Sequence, residues 1–334
     1  MSKRVNIAID AMSGDNSPKK IIDGIEISLK KNKENFFILY GNKDILLKEI
    51  GSKDIILKNC EVIHTPHIIK DNESPLAATK KGKESSMWKS IESQKTKKVD
   101  ISLSAGNTGA LLLMSRLILN TIDGIDKPAL AGLWPNNKGV NVVLDLGANV
   151  ECSQKNLLDF SSMGSALHRS LYENEIPKVA LLNIGLEEHK GNDVLKKTFL
   201  SLKNSEHNNF EFCGFIEGNQ IMDGDVNVII TDGFTGNIAL KTAEGTANFI
   251  TKNIKSSLNI FSLLLSYNSL KKFKEKLDPR KFNGAIFLGL EGPVVKSHGS
   301  TDAIGFSYSI DMCNKIIKSN LIEKIKSNLI TVDQ

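Results

Sequence analysis

Two short stretches repeat one spacing of small polar residues. SAGNTG (104–109) and TDGFTG (231–236) both fit Ser/Thr-x-Gly-x-Thr-Gly-x-x-x-Leu. Each follows an apolar run and opens a helical pattern. Glycine lets backbone N–H groups approach a ligand closely. The helix N-terminus that follows adds partial positive charge. Such a turn suits a phosphate or a developing oxyanion, although the chain has neither a Walker lysine nor a GxGxxG run. The plain alternative for any one such loop is a turn with a helix cap.

Four more loops share the composition: DAMSGDNSP after Ile9, DLGANVECS after Leu144, NIGLEEHKGND after Leu182 and KSHGSTD after Val295. Six of them at strand C-termini read as one shared site along a sheet edge. Candidates for substrate binding are Gly106, Asn107, Thr108, Gly109, Asp145, Asn149, Asp232, Thr235, Gly236, His298, Gly299 and Ser300. Lys190 sits in a charged, glycine-flanked turn before a helical pattern at Asp193. A lysine there can hold a phosphate or polarise a carbonyl; otherwise it is a solvated surface lysine. Asn237 begins the helical pattern after TDGFTG, where its amide can donate to an oxyanion.

Other chemistries find weaker cues. No Gly-x-Ser-x-Gly elbow occurs, so the usual mark of a serine hydrolase is missing. Cys60, His64 and His67 lie along one strand-to-loop stretch with no second ligand pair, a poor zinc spacing. Asp10, Asp15, Asp145, Asp223, Asp232 and Asp302 make no tight acidic cluster for magnesium. We expect no metal and no cofactor.

These loops need a scaffold. Buried parallel strands are expected at 5–10, 36–41, 99–104, 140–146, 178–183 and 226–231, with helices at 18–31, 75–92 and 154–172 between them. That alternation predicts an α/β fold with a doubly wound, mostly parallel sheet. The whole chain, 1–334, reads as one catalytic domain. At 24% charged and 6% aromatic it has the composition of a soluble enzyme. A net charge of +5 without a basic, aromatic-interleaved stripe argues against nucleic acid. Four scattered cysteines without CxxC fit a reduced, cytoplasmic protein. No run reaches the ~20 apolar residues of a membrane span, and the N-terminus lacks a signal-peptide core. One segment, at about 256–281, breaks the rhythm. Its apolar tip (Ile260, Phe261, Leu263, Leu264 and Leu265) precedes Lys271, Lys272, Lys274 and Lys276. It either lies in a membrane interface with its lysines on anionic headgroups or packs in a core or dimer contact.

Taken together, IAIDAMSGD, SAGNTGALL, DLGANVECS, LLNIGLEEHKGND, VIITDGFTGNIALKT and VVKSHGSTDA resemble, in order, the acyl-ACP:phosphate acyltransferase (PlsX) family of bacterial phospholipid synthesis. The resemblance implies a Rossmann-like α/β/α sandwich, similar to phosphate acetyltransferases and isocitrate-type dehydrogenases. It implies a homodimer that makes acyl phosphate from acyl-ACP and inorganic phosphate. A membrane glycerol-3-phosphate acyltransferase would consume the product, and the enzyme would be cytoplasmic with peripheral membrane contact. The family's functional lysine falls on Lys190 and its functional asparagine on Asn237. The first loop departs from the family's usual AMGGD-His-Ala-Pro: Ser13 replaces a glycine and Asn16 the histidine. Glu151 and Cys152 stand where Asp-Ala is common. We expect SAGNTG and TDGFTGN to face each other across one cleft, with phosphate on one wall and the thioester carbonyl on the other. The competing readings are a dehydrogenase of isocitrate-dehydrogenase-like fold, a non-enzymatic scaffold at the membrane edge, and an acetyltransferase acting on a CoA thioester.

Overall fold

The structure is a computed structural model and describes residues 4–172, 175–206, 208–257 and 278–329. The chain runs β1 (Asn6–Asp10), α1 (Lys19–Lys31), β2 (Phe36–Gly41), α2 (Lys43–Ile50), α3 (Asp54–Leu57), β3 (Cys60–His64), α4 (Pro75–Lys81), α5 (Ser86–Lys95) and β4 (Ile101–Ser104). It continues through α6 (Thr108–Leu119), β5 (Ala129–Pro135), β6 (Val140–Leu144), α7 (Gln154–Leu171), β7 (Lys178–Asn183), α8 (Asp193–Asn204), β8 (Glu211–Glu217) and β9 (Val228–Ile230). Then come α9 (Gly233–Ser257), β10 (Ala285–Leu288), β11 (Val294–Lys296), α10 (Ala303–Lys318) and α11 (Leu321–Lys326).

The strands form one eleven-stranded sheet in the order β3-β2-β1-β4-β11-β10-β5-β6-β9-β7-β8. The apolar runs of the inner strands are buried on both faces, as crossover helices require, while the edge strands β3 and β8 are partly exposed. Val142 and Leu144 pack into the cluster that includes α1, α7 and α10, whereas Val143 packs into the cluster on the other face, with α5, α6 and the start of α9. Helix starts are capped from the sequence: Asn42, Ser153, Asn192 and Asp302 each accept a backbone N–H from the first turn of the helix they precede.

Two expectations need correction. The 75–92 stretch is two helices, because Ser85 turns extended and accepts Trp88 N–H, starting α5 afresh. The larger difference is strand sense. β5 and β10 each run antiparallel to both neighbours, while the remaining pairs are parallel. The sheet is mostly parallel, but its two halves point in opposite directions. The cause is local. Asn136 Oδ1 accepts from the N–H groups of Lys138 and Gly139 and closes a tight turn between β5 and β6. A hairpin reverses the chain where a helical crossover would have preserved its sense.

Candidate active site

β6, β9 and β7 are neighbours and end in register: Leu144 pairs with Ile230, and Ile230 with Leu181. Three of the six loops therefore leave the sheet side by side. In the first, Asp145 is fully buried. Its Oδ1 accepts from the N–H groups of Leu130, Gly147 and Ala148, and its Oδ2 from the backbone and side-chain amides of Asn149, at 2.7–3.1 Å. Burial raises the carboxyl pKa and those hydrogen bonds pull it back. Asp145 thus folds its own loop and presents no free edge to a ligand. Asn149 is held the same way, donating also to Pro128 O at 2.8 Å.

The first turn of α9 docks onto that loop. Gly233 N–H donates to Asn149 O at 2.8 Å. A Cβ on Gly233 would lie 2.5 Å from that same oxygen, and one on Gly236 2.0 Å from Asp145 O. Only glycine permits this approach. Asp232 accepts both the N–H and the hydroxyl of Thr235, at 2.8 and 2.9 Å. Asn237 then rests on Gly147 and donates one amide hydrogen to Leu146 O at 3.0 Å. An amide carries two hydrogens, and Asn237 is on the exposed side. Beyond β7, Asn183 donates to Lys190 O at 3.2 Å, and the Lys190 stem packs over Gly185. Asn183 thereby positions Lys190, a role that its place at a strand end did not disclose. No carboxylate among the described residues forms an ion pair with Lys190.

The other three loops make a second group. Asp10 and Lys296 both pair with Ser104. Ser104 Oγ donates to Asp10 Oδ2 at 2.7 Å and accepts from Gly106 N–H at 3.1 Å. Asn107 caps α6 by accepting from Ala110 N–H, and its amide donates to Asp71 O and Glu73 O. Gly109 makes room for Pro75, and Thr108 is the first residue of α6. The two repeated turns are therefore not equivalent. In SAGNTG the helix starts at the fifth residue of the pattern, behind an asparagine cap. In TDGFTG it starts at the third, behind an aspartate.

In the last loop, the Gly299 carbonyl accepts from Asp15 N–H at 2.9 Å and from Lys20 Nζ. His298 Nδ1 lies 3.0 Å from Ser300 Oγ, and burial lowers the ring's pKa, with Lys296, Lys241 and Lys20 adding to the fall and Glu244 opposing it. Lys296 Nζ donates to Ala105 O at 3.4 Å and to Ser297 O at 2.5 Å. Burial brings its pKa down to about 8.

The six loops do not share one edge. Because the sheet reverses sense at β10 and β5, the ends of β1, β4 and β11 lie along one edge and those of β6, β9 and β7 along the other. What connects the groups is α9. Lys241 and Glu244, one and two turns beyond Asn237, are close enough for their charges to act on His298, and Lys241 also on Lys296.

The remaining candidates separate cleanly. Cys60 is half-buried, its thiol pushed up to about 12 by burial, and His64 accepts from Lys43 N–H. Among the described residues no three His, Cys, Asp or Glu side chains stand together as a metal site, and no helix is long and apolar enough to cross a membrane. Ile260, Phe261, Leu263, Leu264 and Leu265, with Lys271, Lys272, Lys274 and Lys276, lie outside the described residues. In the first loop the left-handed positions are Gly14 (φ 84°) and Asn16 (φ 56°). Ser13 is not among them, so the turn does not need a glycine there.

The family model described as fatty acid synthesis protein matches residues 5–324. A phosphate acyltransferase of Pelagibacter ubique is 58% identical over 334 residues, covering 98% of this chain and 100% of the relative. One of Xanthobacter autotrophicus is 39% identical over 336 residues, covering 99% and 94%. Among solved structures, a phosphotransacetylase from Streptococcus pyogenes superposes with a TM-score of 0.62 at 14% identity, covering 97% of this chain and 95% of that one. A 4-hydroxythreonine-4-phosphate dehydrogenase from Klebsiella pneumoniae gives 0.53 at 12%, covering 95% and 99%. At such identities these two show the fold alone, a Rossmann-like α/β/α sandwich. The full-length relatives and the family match show more: the chain belongs to the phosphate acyltransferase (PlsX) family and is an enzyme of acyl transfer to phosphate.

Proposed function

We propose that the chain transfers a fatty acyl group from acyl-ACP to inorganic phosphate by direct attack on the thioester. A phosphate oxygen bonds to the carbonyl carbon and the C–S bond breaks. Acyl phosphate leaves, and the ACP thiolate takes the proton that monohydrogen phosphate carried. The observation that carries this reading is the common register of β6, β9 and β7, which brings to one edge Asn237, seated on the loop that Asp145 fixes, and Lys190, held by Asn183. Asn237 is anchored through one amide hydrogen, and its second donates to the tetrahedral oxyanion. Lys190 neutralises the charge that gathers on phosphate and oxyanion. Phosphate is already an anionic nucleophile at neutral pH, so the step needs no protein nucleophile. Alignment of the two reactants supplies the rest.

The opposite wall is the group at SAGNTG and KSHGSTD, reached through α9. There Gly106 and the His298-Gly299-Ser300 turn contact substrate, while Asn107, like Asp145 and Asn149 in the other loop group, acts by holding its loop. A second copy covers the far half of α9, where Phe249, Ile250 and Ile254 are exposed, so the working form is a homodimer. The net charge of +5 favours an acidic carrier such as ACP. The apolar tip at 260–265 contacts the acyl tail or the membrane surface, where a glycerol-3-phosphate acyltransferase takes the product. The enzyme is then cytoplasmic and peripherally membrane-associated.

The test compares donors. Palmitoyl-ACP and palmitoyl-CoA are each mixed with the enzyme, with and without phosphate, and thioester loss is followed. The reading predicts phosphate-dependent loss with higher kcat/KM for the ACP donor. Equal or better turnover of the CoA thioester would contradict the donor assignment.

A further inference from the structure

Lys20 and Lys296 stand out as two enclosed ammonium groups that make no ion pair. Lys20, the second residue of α1, is only 5% exposed. Its Nζ donates to the Gly299 carbonyl. The Lys296 ammonium, at the end of β11, donates to the carbonyls of Ala105 and Ser297. Neither forms an ion pair with a carboxylate among the described residues. Asp15 and Asp71 act on Lys20, and Asp71 and Asp10 on Lys296, only through longer-range attraction. The two lysines are close enough to repel: each ammonium has donors left over, and the charge of Lys20 is among the causes that lower the Lys296 pKa. Burying like charges side by side with spare donors is unfavourable unless an anion joins them.

A second, independent observation lies beside them. Ser13 is 2% exposed, and its hydroxyl has no hydrogen-bond partner. It faces Gly106: a Cβ on that glycine would come within 2.9 Å of Ser13 Oγ. Lys20 Nζ abuts Gly14 in the same loop, at 2.8 Å from where a Cβ would stand. The loops after β1, β4 and β11 thus bring two ammonium groups and one unsatisfied hydroxyl to the same corner. The hydroxyl is present because Ser13 occupies the position where the family pattern usually has glycine.

We propose that Lys20, Lys296 and Ser13 form the binding site for the phosphate that attacks the thioester. This deepens the reading above and rests on it for the identity of the reaction. The ammonium groups contribute charge-assisted N–H donors to two phosphate oxygens, and Ser13 donates to one of them. Asp10 Oδ1, buried and also without a partner, accepts a hydrogen bond from the remaining O–H of a bound monohydrogen phosphate. Lys20 and Lys296 then hold phosphate in the ground state, while Asn237 and Lys190 act on the oxyanion and on the charge that gathers as phosphate attacks.

Phosphate binding is measured directly by calorimetry on the intact enzyme, and KM for phosphate and for acyl-ACP by steady-state assay. The variants are Lys20→Gln, Lys296→Gln and Ser13→Gly. Loss of one charge-assisted bond predicts a rise of ~10-fold or more in the Kd and KM for phosphate in each lysine variant, with KM for acyl-ACP unchanged. Ser13→Gly, which keeps the loop backbone, predicts a rise of about three- to tenfold. Should a lysine variant fail to fold, Ser13→Gly carries the same test. The wild-type melting temperature supplies another: it rises with added phosphate by mass action, and the rise shrinks in Ser13→Gly. Unchanged phosphate affinity in folded variants would overturn the proposal, as would a rise confined to KM for acyl-ACP, which would mean that the corner reads the phosphodiester of the carrier arm. If the wild type binds phosphate yet makes no acyl phosphate, the fault lies in the proposed function and not in this site.

Discussion

Asp145→Asn turns one acceptor oxygen into an amide that points hydrogens at backbone N–H donors. Five hydrogen bonds converge on this carboxylate, so the substitution leaves buried donors unpaired. It should cost about 1–3 kcal/mol of stability, read from the urea midpoint, and turnover should fall because Asn237 loses its seat on Gly147. Lys190→Ala and Asn237→Ala should act differently: kcat falls, by ~10²–10³ for the oxyanion donor, while the melting temperature stays within a degree or two of the wild type, since Asn237 is exposed and Lys190 half-buried with no ion pair to lose among the described residues. Near-normal turnover in both would remove them from the mechanism. Lys296 adds a pH dependence. Its ammonium is lost at about pH 8, and only the protonated form binds phosphate, so KM for phosphate should climb with pH through 8, up to about tenfold per unit above it. Burial sets that value first, with Lys20 and Lys241 lowering it further and Asp71 and Asp10 opposing them. Lys296→Arg should flatten the profile, because guanidinium stays charged. Among single residues, Lys190 and Asn237 are proposed from the motif resemblance, and their roles await the variants above. Asp145 and Asn149 were legible only as polar loop residues, and Asn183, Lys20 and Ser13 not as functional at all. Their parts depend on burial and on partners dozens to hundreds of positions away.

α9 is the element on which the account turns. It is capped by Asp232, seated through Gly233 and Gly236, and carries Asn237 on one end and Lys241 and Glu244 toward the opposite loops. Gly236→Ala would place a methyl 2.0 Å from Asp145 O, so the helix must shift. A loss of about 1–3 kcal/mol together with a drop in kcat is expected, checked by denaturant unfolding beside the kinetics. An unchanged kcat would mean that the docking of α9 does not hold the chemistry in place. Elements with strong periodicity were readable beforehand: β2 and β7 are found at 36–41 and 178–183, and α7 within a residue of its expected span. The hairpin between β5 and β6 has only a weak local mark, Asn136-Asn137-Lys138-Gly139 between two apolar runs. Missing it hid the reversal of strand sense, because alternation of strand and helix otherwise implies a parallel order throughout.

At the scale of the molecule, the reversal divides the sheet into two halves whose loop groups open at opposite edges, and α9 joins them. Composition and alternation were enough to predict a doubly wound, mostly parallel α/β sheet, since long-range order only had to bury strands that are apolar on both faces; the α/β/α sandwich came from the family resemblance. Composition and alternation could not give the sense of each half, which is set by two short hairpins. The acidic-carrier reading predicts that kcat/KM for acyl-ACP falls as salt rises from low to physiological ionic strength, where the Debye length shrinks to ~8 Å, while kcat is little changed; a flat response would count against electrostatic steering. The central claim is that phosphate itself attacks the thioester. The most direct measurement is to incubate the purified enzyme with long-chain acyl-ACP and phosphate, without added metal or nucleotide, and to look for acyl phosphate by mass spectrometry. The account predicts acyl phosphate in amounts that track phosphate concentration, together with free ACP. Thioester breakdown to free fatty acid, or no turnover with an intact donor, would contradict it.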